Sequence, residues 1–203
     1  MYIPEHFRMK QQDAMYKIIR SHPLGVLVTL NEQGIDANHL PFELDADRMR
    51  LTAHVARANP VWEQCSDQMP VLVVFRGDAS YVSPNWYPSK HAFHRQVPTW
   101  NYEAVHVHGR ITIQDHENFV RGLVARLTRT HEASEPKPWR MTDSAPDYID
   151  RMLKAIVGIE IAIERMEGKA KLSQNREDRD RLQAAEMLES KGHAGLAEAM
   201  RQA

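Results

Sequence analysis

Cysteine is nearly missing from this sequence: Cys65 is the only one in 203 residues. One thiol forms no internal disulfide, and a thiolate zinc site needs more ligands. The expectation is an unpaired thiol in a reducing compartment and no metal centre. Long apolar runs are missing too. No stretch approaches the ~18 apolar residues of a membrane helix. The opening residues, MYIPEHFRMK, form no apolar signal segment, so the cytoplasm is the expected location. Neither sign of charge is in excess: 26 Lys and Arg stand against 27 Asp and Glu, a net −1 with His neutral. Phosphate neutralisation supplies most DNA-binding affinity, so DNA as a partner finds no support in the charge balance and would need a local basic patch. Walker and G-x-G-x-x-G sequences are absent, which removes the ordinary nucleotide cradles. No G-x-S-x-G surrounds Ser83 or Ser89, which argues against a serine hydrolase.

What is present is an ordinary globular composition, 42% hydrophobic and 26% charged. The length suits one domain with appended helices. Met15, Ile18 and Ile19 predict a short helix over 11–21, ended by Pro23. The period then becomes strand-like. Strands are expected at 25–30, 35–44 and 50–56, then at 70–75 and 79–84 joined by a hairpin at Gly77-Asp78, and at 102–113. In 157–164, Val157, Ile159, Ile161 and Ile163 alternate with Gly158, Glu160, Ala162 and Glu164, a strand pattern. A helix is expected over 115–130 with Asp115 as N-cap, and another near 146–155 behind a Ser144/Asp147 capping box. The tail from 176 reads as two helices broken near Gly192. About seven short strands with few helices between them point to an antiparallel barrel or sandwich: a mainly β fold with peripheral helices and an α-helical C-terminal tail. The expected division is a barrel domain over 1–175 and a helical extension over 176–203.

Chemistry-bearing residues crowd 81–109, which holds Trp86, Trp100, His91, His94, His106 and His108. Such aromatic and polar loops suit a flat ring held by stacking and hydrogen bonds, or a packed structural loop. Each histidine pair could supply two metal ligands, or one histidine a haem axial ligand, but no further ligand shares an evident motif. Arg57 and Asn59 fall just past a strand end, where side chains converge on ligands. Lys90 lies in the long loop. Lys171, Ser173, Gln174, Asn175 and Arg176 follow the last strand. These are the donors a phosphate needs.

NHLPF (38–42), HVARANP (54–60), YVSPNWYPSK (81–90), VPTWNYEAVHVHG (97–109) and GKAKLSQNR (168–176) together resemble the PaiB family of FMN-binding negative transcriptional regulators. The resemblance runs nearly the whole chain. It implies a split β-barrel of the pyridoxamine-phosphate-oxidase type, and a homodimer with FMN at the subunit interface. By the same resemblance Arg57 and Asn59 are the expected phosphate contacts, with Lys90 a second candidate. Thr29, Asn38, His39 and Leu40 are expected beside the flavin ring. Trp100 would cover the ring or close the interface, and Gln174 and Arg176 would reach the cofactor from the partner subunit. No catalytic residue is assigned.

Two further functions stand beside the regulator. One is an FMN-dependent oxidoreductase of the NAD(P)H-flavin reductase kind, since bound flavin exchanges hydride or electrons. The other, a haem-binding split barrel, rests on the histidines. The tail can be drawn as a helix-turn-helix, but its second helix carries only Arg201 as a cation.

Overall fold

The computed structural model describes all 203 residues. Seven strands form one sheet: β1 (Leu24–Asn31), β2 (Gly34–Pro41), β3 (Glu43–Asp45), β4 (Arg50–Ala56), β5 (Met69–Val82), β6 (Thr99–Gln114) and β7 (Ile156–Lys171). Their order is β2-β1-β5-β6-β7-β4-β3. The pairs β1–β2, β1–β5, β3–β4 and β4–β7 are antiparallel. Seven helices accompany them: α1 (Gln12–Ser21), α2 (Val61–Gln64), α3 (Pro88–Phe93), α4 (Glu117–His131), α5 (Pro146–Lys154), α6 (Asp178–Ser190) and α7 (Ala194–Gln202). Contacts divide the chain into two compact units. One comprises Met1–His22, Phe75–His106 and Met166–Ala203. The other comprises Pro23–Val74 and Val107–Arg165.

In the first unit α6 and α7 form a hairpin turned at Gly192, whose φ of +86° favours glycine. Leu188, Leu196 and Met200 of the hairpin bury against Val82, Tyr87 and Leu172. Arg181 of α6 is buried and donates to the Met200 and Arg201 carbonyls, two of the acceptors that the end of α7 leaves open. Residues 84–99, expected as loop, contain α3. Its anchor is Asp180 of α6, which accepts from the Ser89 amide at 3.0 Å and the Ser89 hydroxyl at 2.5 Å. Ser89 is thereby a structural hydrogen-bonder.

In the second unit the β1–β2 hairpin pairs Asn31 with Gly34, whose φ is +115°. Leu27, Leu51, Ala53, Val73, Ile159 and Ile161 are buried, the alternate residues of their strands. Helices α4 and α5 bury Val120, Ile149 and Leu153 together. Gly158 lets α4 lie on the sheet: a Cβ there would stand 2.7 Å from the Phe119 ring.

Several expectations are corrected. No hairpin forms at Gly77-Asp78; β5 runs straight through both. Gly77 instead gives room to Glu103 of β6, whose Cβ would lie 3.2 Å from one on residue 77. The strand expected over 35–44 breaks at Phe42 into β2 and β3. Asp115 does not cap α4, because its carboxylate goes to Arg57; the N-cap is His116, without a side-chain bond. The N-cap of α5 is Ala145 rather than Ser144. No helix is long and apolar enough to cross a membrane.

Candidate flavin site

Strand alternation separates the residues expected beside a ring. Thr29, Asp36, Asn38 and Leu40 share the inward face of β1 and β2, since Leu27 pairs with Asn38 and Thr29 with Asp36. His39 points the other way and is exposed. The inward side chains form a polar chain. Asn38 Nδ2 donates to Asp36 Oδ2 at 2.8 Å, and Asn59 Nδ2 donates to Asn38 Oδ1 at 2.6 Å. Asn59 Oδ1 accepts from the Val61 amide at 3.0 Å, which fixes the start of α2. Thus Asn38, expected beside the ring, and Asn59, expected at the phosphate, are brought together although 21 residues apart. Thr29 is 4% exposed, and its Oγ1 is buried without a hydrogen-bond partner. An unpaired buried hydroxyl costs about 1–3 kcal/mol, so it marks either strain or a missing partner. Cys65 is buried nearby in the same unit; burial first, and then Asp36, pushes its thiol pKa up, which makes it a poor nucleophile.

Arg57 is differently employed. Its Nε donates to the Lys154 carbonyl at 2.8 Å. Nη1 and Nη2 clamp Asp115 at 2.8 and 2.5 Å, and Nη2 also reaches the Ile156 carbonyl at 3.3 Å. The guanidinium lies 5.6 Å from the Trp62 ring centre. Four of its five N–H donors are committed, so one remains for a phosphate. Here Arg57 is a brace holding the turn after β4, and Asn59 stands in that turn. Also in this unit, burial lowers the pKa of His54, and its Nδ1 has no partner.

The remaining expected residues lie in the first unit. Lys90 is on α3 and makes no ion pair. Arg176 stacks at 5.8 Å over the ring of buried Tyr87, whose hydroxyl lies 3.3 Å from Ser173 Oγ. Burial, ahead of the other influences, pushes the Tyr87 pKa up. Gln174 spends both ends of its amide on its own chain, accepting from the Leu172 amide and donating to the Ala170 carbonyl, each at 2.8 Å. It shapes the turn in which Ser173 adopts φ +68°. Trp100 is 54% exposed and meets Tyr81 edge-on at 6.3 Å. His91 Nε2 lies 3.2 Å from the Asn85 carbonyl, and His94 ends α3 in a left-handed conformation.

Two features escaped the sequence reading. One is a cleft of about 700 Å³ lined by Arg95, Arg176, Phe93 and Asn175, where α3 meets the start of α6. Ser89 and Gln96, 91 and 84 residues from Asp180, both bond to it where the cleft forms. The other is the outward face of β1 and β2. Leu24, Leu30 and Ile35 are 62%, 66% and 80% exposed, and Val26, Val28, Ala37 and Pro41 lie between them. The alternation of apolar residues on both faces of β1 was the available signal.

A family profile described as "Putative FMN-binding domain" matches residues 1–165. The chain is 32% identical over 195 residues to the protease synthase and sporulation protein PAI 2 of Bacillus subtilis (strain 168), covering 94% of this chain and 90% of that one. The chain belongs to the PaiB family of FMN-binding proteins. A protein of Saccharomyces cerevisiae, YKL070W, is 34% identical to this chain over 160 residues, 68% of this chain and 94% of its own. Among solved structures, the FAD and haem binding protein of Mycobacterium smegmatis superposes with a TM-score of 0.62 at 15% identity, over 85% of this chain and 78% of that one. The flavocytochrome Anf3 of Azotobacter vinelandii gives 0.60 at 11%, over 83% and 72%. The fold is the split β-barrel, and the cofactor of the family is FMN. The residues present suit it. Thr29 offers a buried hydroxyl lacking a partner, Asn38 and Asn59 offer amides, and Lys90 and Arg176 offer cations without an ion pair.

Proposed function

We propose that this PaiB-family protein is a cytoplasmic homodimer that holds FMN at the subunit interface and exerts negative control of transcription without reading DNA through its C-terminal hairpin. The observation that carries the dimer is the exposed aliphatic face of β1 and β2. A contiguous apolar face of this kind marks a surface that is covered in the working protein. In this reading Thr29, Asn38, Leu40 and Asn59 of one subunit attend the flavin, and His39, on the outward face, does not. Lys90, Trp100, Gln174 and Arg176 come from the partner copy, and the two cations face the phosphate. FMN supplies reversible electron or hydride transfer, and the protein sets its position and electrostatics.

The hairpin is a poor reader of DNA. Leu196, Ala197 and Met200 of α7 are buried. Its cation, Arg201, pairs with Glu189 and with Glu198. With flavin-loaded protein, promoter fragments of the genes it represses are expected to show no mobility shift at low salt. A salt-sensitive shift abolished by Arg201→Ala would overturn indirect control.

The alternative, an FMN-dependent oxidoreductase, draws on the flavocytochrome and the FAD and haem binding protein among the structural neighbours. It requires that NADH or NADPH bleach the flavin rapidly without oxygen. The regulator reading expects slow bleaching by both.

A further inference from the structure

Within the first unit a second cleft, of about 470 Å³, opens among α1, β5, β6 and α7. Besides Glu198 of α7, four ionisable side chains line it: Lys17 and His22 from α1 and its C-cap, Asp78 from β5 and Glu103 from β6. Ile18 and Leu172 supply apolar wall. None of the four makes a hydrogen bond or an ion pair within the protein. A fifth, Glu198, is already occupied by Arg201 and Gln202.

Glu103 nonetheless senses the other three. Burial, and then Asp78, push the Glu103 carboxyl pKa up, while His22 and Lys17 pull it back. Lys17 and His22 thus stand within electrostatic reach of Glu103 without forming an ion pair with it. The backbone fixes the acids in place. A Cβ on Gly195 would come within 2.2 Å of Asp78 Oδ2, so the carboxylate sits in the space this glycine leaves in the first turn of α7. That turn carries the positive end of the helix dipole. Gly77 likewise admits the Glu103 side chain.

Glu103 and His22 are partly buried, with Lys17 and Asp78 at the exposed rim. A partly buried polar group without a partner is costly, and a ligand bearing both complements would satisfy the cleft's acids and bases together. Pockets with an apolar wall and a few converging polar groups are the usual form of small-molecule sites. We propose that this cleft binds a small zwitterion of the α-amino acid class with an aliphatic side chain. Asp78 and Glu103 receive the ammonium, Lys17 and His22 the carboxylate, and Ile18 and Leu172 the side chain. The site does not depend on the flavin reading.

The test is calorimetry on the flavin-loaded protein near pH 7.5 with three probes. L-leucine carries both charges, isopentylamine only the ammonium, and 4-methylpentanoate only the carboxylate. Saturable binding of leucine is expected, with each single-charge analogue at least tenfold weaker. Glu103→Gln preserves shape, and Lys17→Met changes an exposed position. Each should weaken leucine at least tenfold and leave the flavin spectrum unchanged. No saturable heat with leucine overturns the proposal. So does an analogue that binds as tightly as leucine, or a pair of variants that bind it as the parent does.

Discussion

The double variant Leu30→Glu, Ile35→Lys is expected to be a folded monomer that has lost its flavin. Both residues are paired on the outward face of the β1–β2 hairpin, and they are 66% and 80% exposed in the single chain. Charges there cost the isolated subunit little, because they remain in water. In a dimer that covers this face they are carried toward an apolar core from which charged residues are normally excluded. Desolvating them costs several kcal/mol per ion, and two-fold symmetry doubles each substitution. Light scattering after gel filtration should read twice 23.4 kDa for the parent and 23.4 kDa for the variant. The 450 nm absorbance should leave with the dimer. A variant that stays dimeric and yellow would place the interface elsewhere.

Thr29→Val should have effects of opposite sign on stability and on cofactor binding. The Thr29 hydroxyl is buried and unpartnered in the protein alone. Valine has the same shape without the unpaired oxygen, so the flavin-free variant gains about 1 kcal/mol, raising its Tm by about 2–4 °C. If the missing partner is a flavin atom, the variant gives up that hydrogen bond. FMN affinity then falls about tenfold, or about 1.4 kcal/mol. Thermal scans without FMN and fluorescence titration with it read the two effects separately. A stabilised variant with unchanged FMN affinity would detach Thr29 from the cofactor.

How far these features could be read from sequence depended on whether the cause was local. The clean alternation of Val157, Ile159, Ile161 and Ile163 marked β7 because a half-buried strand needs it. The tail hairpin was legible from Gly192. The count of seven strands was reached through two differences that cancel. The Gly77-Asp78 pair mimics a hairpin turn but lies inside β5, where Glu103 of β6 needs the space, and the segment expected as one strand over 35–44 divides at Phe42. On β1 both faces are apolar, so period two alone could not say which face is the core and which awaits a partner. Asn38, His39 and Leu40 form one motif in the sequence, yet pleating sends His39 outward. Arg57 looked like a free phosphate donor because its acceptors, Asp115 and the carbonyls of Lys154 and Ile156, lie 58 to 99 residues away. Such long-range pairings leave no local mark. The same holds for Lys17, His22, Asp78 and Glu103, which only the fold assembles.

The central claim is that the protein holds FMN, and one spectrum tests it most directly. Purified protein is mixed with FMN, freed of excess by gel filtration, and scanned in the visible. Bands near about 375 and 450 nm that co-elute with the protein, at about one flavin per subunit, are the expected result. A colourless protein that retains no added FMN would contradict the account, and the roles given to Thr29, Asn38 and Arg176 would lose their basis.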